Sequence, residues 1–553
     1  MANRNYNSIP TQEEPSVNEI PAKPKFFEQK TKKHRAIAAV VVSVAAALLV
    51  TSAAFLFTKE EPVVHEPAKR NVIMMISDGF GPASETFARQ YYQWHEKLAP
   101  QAAMLPLDEI HVGHSRTQSS SSLVTDSAAG ATAFACALKS YNGAIGVDPE
   151  KRPCGTVLES AKLHHDMLTG LVVTSRVTHA TPASFSAHVA WRDWEPLIAE
   201  HQIGYTPLGR TVDLMFGGGS CEFLPNVTES NEISCRADQR DLFQEAKDNF
   251  GWTVHRTRKE FDAIDTHHAH LPLMTVFTPQ HMSYEIDRKP AIEPALHEMT
   301  EKALDILLHA SKEADKGFFL MIEGSRIDMA AHSNDAATHV HEILEYHRTV
   351  ELVKEFVRAN PDTVVISTSD HETGGLTVGR QVGSDYPEYK WNPEVIQRVT
   401  NSSEALAGMW YKATVAEAAT TKFLKDTLVA DGLGVDDATK EELDRILQWK
   451  DSGKSFEVLI TYFADIVSRR ALIGFTTWGH TAVDVNLYAY GPGTERLRGS
   501  HENIEIGDFI VDFLGLDLDD ITKRLNADDL LAIKAQDPED YAQAMSNHQR
   551  FND

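Results

Sequence analysis

Four short apolar runs in this chain each end in residues able to bind a metal or a substrate. Residues 71–77 (NVIMMIS) lead into Asp78, and residues 171–177 (LVVTSRV) into His179 and Thr181. Residues 318–322 (FFLMI) lead into Glu323, then Asp328 and His332, and residues 363–369 (TVVISTS) into Asp370 and His371. Runs of this length without polar alternation read as strands buried on both faces of a parallel sheet. In open α/β sheets, sites form outside the carboxyl ends of the strands. Any one of these polar residues would serve equally well as a cap for the next helix. All four together point at one shared location. The intervening segments carry helical periodicity. The predicted fold class is therefore α/β: a central, mainly parallel sheet flanked by helices, with an inserted smaller region and a single transmembrane helix ahead of it.

The transmembrane expectation rests on residues 36–57 (AIAAVVVSVAAALLVTSAAFLF), 22 positions without a charge. As a helix they would span roughly 33 Å, enough for a hydrocarbon core. The segment is apolar all round, unlike a core helix packed on one face. It is also longer and farther from the N-terminus than the apolar region of a cleaved signal peptide. Lys23, Lys25, Lys30, Lys32, Lys33 and Arg35 precede it; Lys59, Lys69 and Arg70 follow it. The more basic flank stays in the cytosol, which places the bulk of the chain in a lumen or outside the cell. Residues 1–35 read as a disordered cytosolic tail, 36–57 as a signal anchor and 58–70 as a stalk. Residues 71–530 read as the main domain and 531–553 as a C-terminal tail. Residues 385–475 are rich in Trp, Tyr and charge and lack strand–helix alternation, so they read as an insertion. The polar C-terminus offers no hydrophobic tail for a glycolipid anchor.

The net charge of −26 falls beyond the anchor, because residues 1–35 carry seven basic and four acidic side chains and residues 58–70 three of each. An acidic surface argues against a nucleic-acid partner. It also makes an anionic substrate surprising, unless the site carries its own positive charge. Cys136, Cys154, Cys221 and Cys235 all lie beyond the anchor, in a compartment that permits disulfides. Proximity favours the pairs Cys136–Cys154 and Cys221–Cys235, with free buried thiols as the alternative. Asn226 (NVT) and Asn401 (NSS) are glycosylation sequons.

Residues 124–139 read VTDSAAGATAFACALK. Asp126 and Ser127 precede small and apolar residues suited to a tightly packed helix. A serine at a helix N-terminus sits where backbone N–H groups and the helix dipole favour negative charge, which suits a nucleophile. A plain capping serine is the competing reading. Ser119–Ser122 read as a loop. Asp328 and His332 are four apart and face the same way on a helical turn. With a third ligand from elsewhere they make a reasonable zinc shell. Glu323 suits a harder cation, and Asp370–His371 offers adjacent oxygen and nitrogen ligands. His339, His341 and His347 read as helix surface. His267, His268 and His270 read as a loop, with nothing in the sequence to pair them with a carboxylate.

The chain resembles the alkaline phosphatases from residue 71 to about 499. The matching blocks are ISDGFG (76–81), TDSAAGATA (125–133), THATPASFSAH followed by WR (178–192), MIEGSRIDMAAH (321–332), SDHETGG (369–375) and WGHTAVDV (478–485). The tail, anchor and 385–475 region most resemble the fungal vacuolar branch. The resemblance implies hydrolysis of phosphate monoesters, phosphopeptides being a further candidate substrate, through a covalent phosphoserine. It implies two zinc ions and one magnesium ion. Asp328, His332 and His480 would hold the first zinc, and Asp78, Asp370 and His371 the second. Asp78 would bridge to magnesium held with Thr181 and Glu323. Ser127 would be the nucleophile, Arg192 the phosphate clamp and Asp126 its orienting partner. The branch further implies a homodimer on the vacuolar membrane with a lumenal catalytic domain, the cell surface being the alternative. Such a centre would be net positive, which reconciles an anionic substrate with an acidic protein. Two residues depart from the bacterial pattern. His179 stands where that branch carries Asp, as in animal enzymes, and Met329 where it carries Lys. A phosphodiesterase or sulfatase on a related fold would use Thr or a modified Cys in place of Ser127. A catalytically dead, membrane-tethered binding domain would have lost its nucleophile or a ligand, and none is lost here.

Overall fold

The computed structural model describes residues 70–227 and 232–527. The expected tail, anchor and C-terminal tail lie outside the described residues, as does the stalk except Arg70. Among the described residues no helix is long and apolar enough to cross a membrane.

A ten-stranded sheet forms the frame. Its strands are β1 (Asn71–Ile76), β2 (His111–Arg116), β3 (Leu168–Arg176), β4 (Leu214–Gly218), β5 (Thr253–His255), β6 (Leu273–Val276), β7 (Phe318–Glu323), β8 (Thr363–Thr368), β13 (Val485–Tyr490) and β14 (Gly499–Glu502). Four two-residue strands lie outside it: β9 (Glu372–Thr373), β10 (Thr377–Val378), β11 (Ile473–Gly474) and β12 (His480–Thr481). The order is β14-β2-β13-β8-β1-β7-β3-β4-β6-β5. Only β13 runs against its neighbours, β2 and β8. The sheet is thus mostly parallel, as the uninterrupted apolar runs predict.

The four runs singled out in the sequence become the adjacent central strands β8, β1, β7 and β3. Residue by residue, β1 shows why their pattern does not alternate. Ile73 and Met75 enter one hydrophobic cluster, whereas Val72, Met74 and Ile76 enter another on the opposite face. Helices Leu296–Ala314 and Ala336–Ala359 cover the first face, and Ser127–Cys136, Val157–His165 and Asn503–Leu514 the second. Register aligns the strand ends. Ile76 pairs with Glu323 on one side and Thr368 on the other, and Glu323 pairs with Val173. The residues that follow therefore emerge side by side.

Residues 379–472 leave and return through the antiparallel pair β10–β11. They are helical, with helices Ser403–Val415, Lys440–Leu447 and Phe456–Ala471 and a π-helical stretch Phe423–Gly432. Trp410, Leu424 and Phe463 join the first cluster. Cys136–Cys154 and Cys221–Cys235 form disulfides, with Cα separations of 6.0 and 4.9 Å. One helix differs from expectation. His339 and His347 on Ala336–Ala359 are buried, not surface residues. The helix packs on the sheet and also against helix Pro82–His95, so it has two covered faces. His339 bonds Ser84 Oγ at 2.9 Å and the Ile327 carbonyl at 3.0 Å, and His347 lies 3.1 Å from Glu85. His341 is half-buried.

Candidate active site

Ser127 is the first residue of helix Ser127–Cys136, and Asp126 caps that helix by accepting from Ala129 N at 3.0 Å. The cap role therefore falls to Asp126, which leaves the Ser127 hydroxyl free for other partners. It lies 3.1 Å from His371 Nε2 and 3.5 Å from Asp78 Oδ1. The small residues of this helix have a spatial reason. A Cβ on Gly130 would come within 2.9 Å of the Asp370 side chain. Gly79, at φ +74°, lets the chain turn after Asp78 where a Cβ would sit 2.6 Å from Asp328 Cα.

Three carboxylate–imidazole groups surround the serine. Asp328, His332 and His480 form one, Asp78, Asp370 and His371 a second, and Asp78, His179 and Glu323 a third; within each, the ligand atoms lie within 4.8 Å of one another. His332 Nε2 is 3.1 Å from His480 Nε2 and 3.2 Å from Asp328 Oδ2. His371 Nε2 is 3.1 Å from Asp370 Oδ2. The buried Thr181 hydroxyl lies near Glu323 but has no well-formed hydrogen bond among the described residues. Arg192 Nη1 donates to Asp126 Oδ2 at 3.1 Å, and Nη2 lies 3.2 Å from His179 Nε2. Every site residue predicted from the sequence is thus brought to one place.

The structure adds supports that the sequence reading missed. Thr373 Oγ1 donates to Asp328 Oδ1 at 2.6 Å. Ser325 and Ser175 hydroxyls donate to Glu323 Oε2 at 2.6 and 3.2 Å. Backbone carbonyls of Thr125 and Trp478 fix the Nδ1 atoms of His480 and His332. Thr373 and Ser325 lie inside the matched blocks, so their positions were the available signal. Thr125 and Trp478, which supply the carbonyls, also open matched blocks, whereas Ser175 lies outside them.

The electrostatics suit bound cations. Asp78, Glu323 and Asp370 are fully buried and Asp328 nearly so. Burial, then Asp370, Asp328 and Glu323, push the Asp78 carboxyl well above its ordinary value. Burial lifts Glu323 to about 7 against the pull of the Ser325 and Thr181 hydroxyls. Burial also opposes ionised Asp328, but the imidazoles of His332, His480 and His371 outweigh it and hold that group well down. Asp78 Oδ2 is buried without a hydrogen-bond partner among the described residues. Like charges at this density are relieved either by protonation, as the raised Asp78 and Glu323 carboxyls show, or by bound cations. The donor chemistry sorts itself: imidazole plus carboxylate suits zinc, and carboxylate plus hydroxyl suits magnesium. Burial and the neighbouring Arg192 and Arg176 hold His179 down to about 3, so it is neutral and able to accept from Arg192. Arg192 stays charged, because Asp126 and Asp78 outweigh its burial.

The family model for alkaline phosphatase matches residues 69–516. An alkaline phosphatase of Schizosaccharomyces pombe is 50% identical over 456 residues, covering 82% of this chain and 83% of that one. A cold-active alkaline phosphatase from a psychrophilic Shewanella superposes with a TM-score of 0.65 at 30% identity, covering 80% of this chain and 99% of that one. A variant of the TAB5 alkaline phosphatase, with His replaced by Glu, has Mg bound in its M3 site. It superposes with a TM-score of 0.56 at 27% identity, covering 81% of this chain and 99% of that one.

Proposed function

The chain belongs to the alkaline phosphatase family, and from that membership we propose that it hydrolyses phosphate monoesters through a covalent phosphoserine on Ser127. The observation that carries this reading is the convergence of Ser127, Arg192 and three metal-competent groups at the aligned ends of β8, β1, β7 and β3. Asp328, His332 and His480 would hold one zinc, Asp78, Asp370 and His371 another, and Asp78, Thr181 and Glu323 a magnesium. Bound there, the ions would supply Lewis acidity, lowering the pKa of the Ser127 hydroxyl and of water and stabilising charge on the phosphoryl and leaving oxygens.

The chain's own residues order the two displacements. Ser127 Oγ loses its proton to solvent and forms a bond to phosphorus as the bond to the leaving oxygen breaks. The helix N-terminus under Ser127 favours the alkoxide and then the phosphate. Arg192 grips two phosphoryl oxygens with its planar fork, a geometry Lys lacks. Asp126 holds that fork in place, and it is itself held by Ala129 N and by Gly143 N at 2.9 Å. Water then attacks phosphorus from the opposite side, releasing inorganic phosphate and restoring the serine. Measuring monoesterase activity and metal content on the same purified sample tests the proposal. An active enzyme free of zinc would refute it.

His179 tunes the third group. A neutral imidazole there, in place of a carboxylate, leaves the pocket one negative charge short of the bacterial pattern. Magnesium dehydrates reluctantly, so His179 would act on a magnesium held there through the ion's retained water rather than as a direct ligand. His179→Asp should bind magnesium more tightly, through a charged oxygen, and hold product phosphate less tightly, by repulsion. Magnesium titration of the stripped protein at fixed zinc, with phosphate inhibition measured in parallel, reads both. Identical curves for parent and variant would remove His179 from the centre.

The same reading places the enzyme as a homodimeric, single-pass type II protein of the vacuolar membrane, with residues 36–57 as anchor and the active site in the lumen. Two disulfides suit an oxidising compartment. Asn226, exposed next to Cys221–Cys235, suits glycosylation. In sealed vacuoles, protease should remove an N-terminal epitope and spare the chain beyond residue 70. Digestion of the catalytic domain instead would place it in the cytosol.

A further inference from the structure

Away from the strand ends, a second carboxylate–imidazole cluster sits on the protein surface. Helix Leu296–Ala314 carries Asp305 and His309 one turn apart on one face. The loop that precedes β6 brings His267 over His309, with ring centroids 3.8 Å apart and planes at 25°. His309 Nδ1 lies 3.1 Å from Asp305 Oδ1 and 2.8 Å from the Asp305 backbone carbonyl. The Thr266 hydroxyl donates to the other carboxylate oxygen, Asp305 Oδ2. Ligand atoms of His267, Asp305 and His309 all lie within 4.8 Å of one another.

We infer that His267, Asp305 and His309 form a separate binding site for a divalent transition metal of the zinc class, one that ties the loop to the helix. The donor pattern repeats that of Asp328, His332 and His480: a carboxylate and an imidazole at i and i+4 on a helix, with one imidazole from a distant segment. Two nitrogens and one oxygen match a borderline-soft ion, whereas calcium and magnesium take oxygen shells. The outer contacts are also of the kind that orients ligands. Thr266 holds the carboxylate, and the Asp305 carbonyl holds the His309 ring. Three protein ligands leave a fourth position facing solvent. The carboxylate is 41% exposed and the His309 ring 33%. An ion there, on the loop that precedes β6 rather than at the carboxyl ends of the strands, exchanges with solution, so its occupancy affects stability and leaves turnover unchanged. His268 stands apart from the set, paired with Asp265 Oδ2 at 3.0 Å.

The test is a zinc titration of the holoenzyme with its catalytic centre already filled, read by equilibrium dialysis and thermal melting. The parent should bind one equivalent more than His267→Ala/His309→Ala, at equal phosphatase activity. Affinity for that equivalent should fall by more than the ~10–100-fold typical of losing an outer-shell partner. Added zinc should raise the melting temperature of the parent and of His268→Ala, but not of the double variant. If the double variant does not fold, Asp305→Asn gives the same reading, since its amide oxygen still accepts from Thr266. Equal zinc stoichiometry in parent and ligand variants would overturn the assignment. So would an equal loss in His268→Ala, because that would mean scattered surface histidines bind the metal.

Discussion

Ser127→Ala should lower kcat by roughly 10⁴–10⁶-fold, the scale on which enzymes lose activity with their nucleophile, while fold and metal content stay unchanged. The Ser127 side chain is small and sits at the first position of its helix, with Asp126 supplying the cap. Alanine keeps the helix and removes only Oγ. The carboxylates and imidazoles around it do not depend on that oxygen for position, since Thr373, Ser325, Ser175 and backbone carbonyls hold them. Phosphate should still bind, because Arg192 and Asp126 are untouched. A variant retaining more than a few per cent of parental kcat would mean that water attacks the substrate directly.

Stripping the metals should abolish activity and destabilise the fold together. Four carboxylates, Asp78, Glu323, Asp328 and Asp370, would then face one another in the interior. Zinc with magnesium should restore activity. Magnesium alone should not, because the imidazoles of His332, His371 and His480 suit the softer ion. The stripped protein should also show a defined pH trend. Glu323 titrates at about 7 in the fold, well above a free carboxyl, so the folded state keeps a proton that the unfolded chain releases. Burial opposes charge on His332, but Asp328 lifts that ring to about 9, so it too keeps a proton in the fold after the unfolded chain has lost its own. Both contributions disappear as pH rises through the folded-state values. The half-buried rings of His179 and His480, held down to about 3 and 4, act in the opposite direction, but only below about pH 6.5. Between pH 6.5 and 8.5 the melting temperature of stripped protein should therefore fall, and added zinc should reverse the fall. A melting temperature that rises across this window would show that the cluster is not the source of the instability.

The central sheet was legible because its strands are buried on both faces and each apolar run stops at a polar group. Residues 71–77 and 363–369 come within a residue of β1 and β8 for that reason. The order of the strands was not legible, since neighbours such as β1 and β7 pair across more than 240 positions of sequence. Strands β4, β5 and β6 carry weaker signals: LMFGG contains two glycines, and TVH and LMTV are only three and four residues long. Residues of the site were legible at strand ends and in the matched blocks. The cap role of Asp126 was not separated from that of Ser127, because adjacent capping residues look alike until the backbone is seen. His339 and His347 misled because helical periodicity reveals one buried face, and this helix has two. His267 does lie in a loop, as read; its approach to Asp305 was not legible, because that residue is 38 positions away on a different element.

Acid-quenching the enzyme during turnover, with substrate carrying labelled phosphate, and mapping the labelled peptide tests the central claim most directly. At acidic pH, protons compete with the metals for their ligands and hydrolysis of the intermediate slows. The account predicts about one label per active site, on Ser127 in the segment VTDSAAGATAFACALK, and none in Ser127→Ala. Label on any other residue, or active enzyme that never becomes labelled, would contradict it.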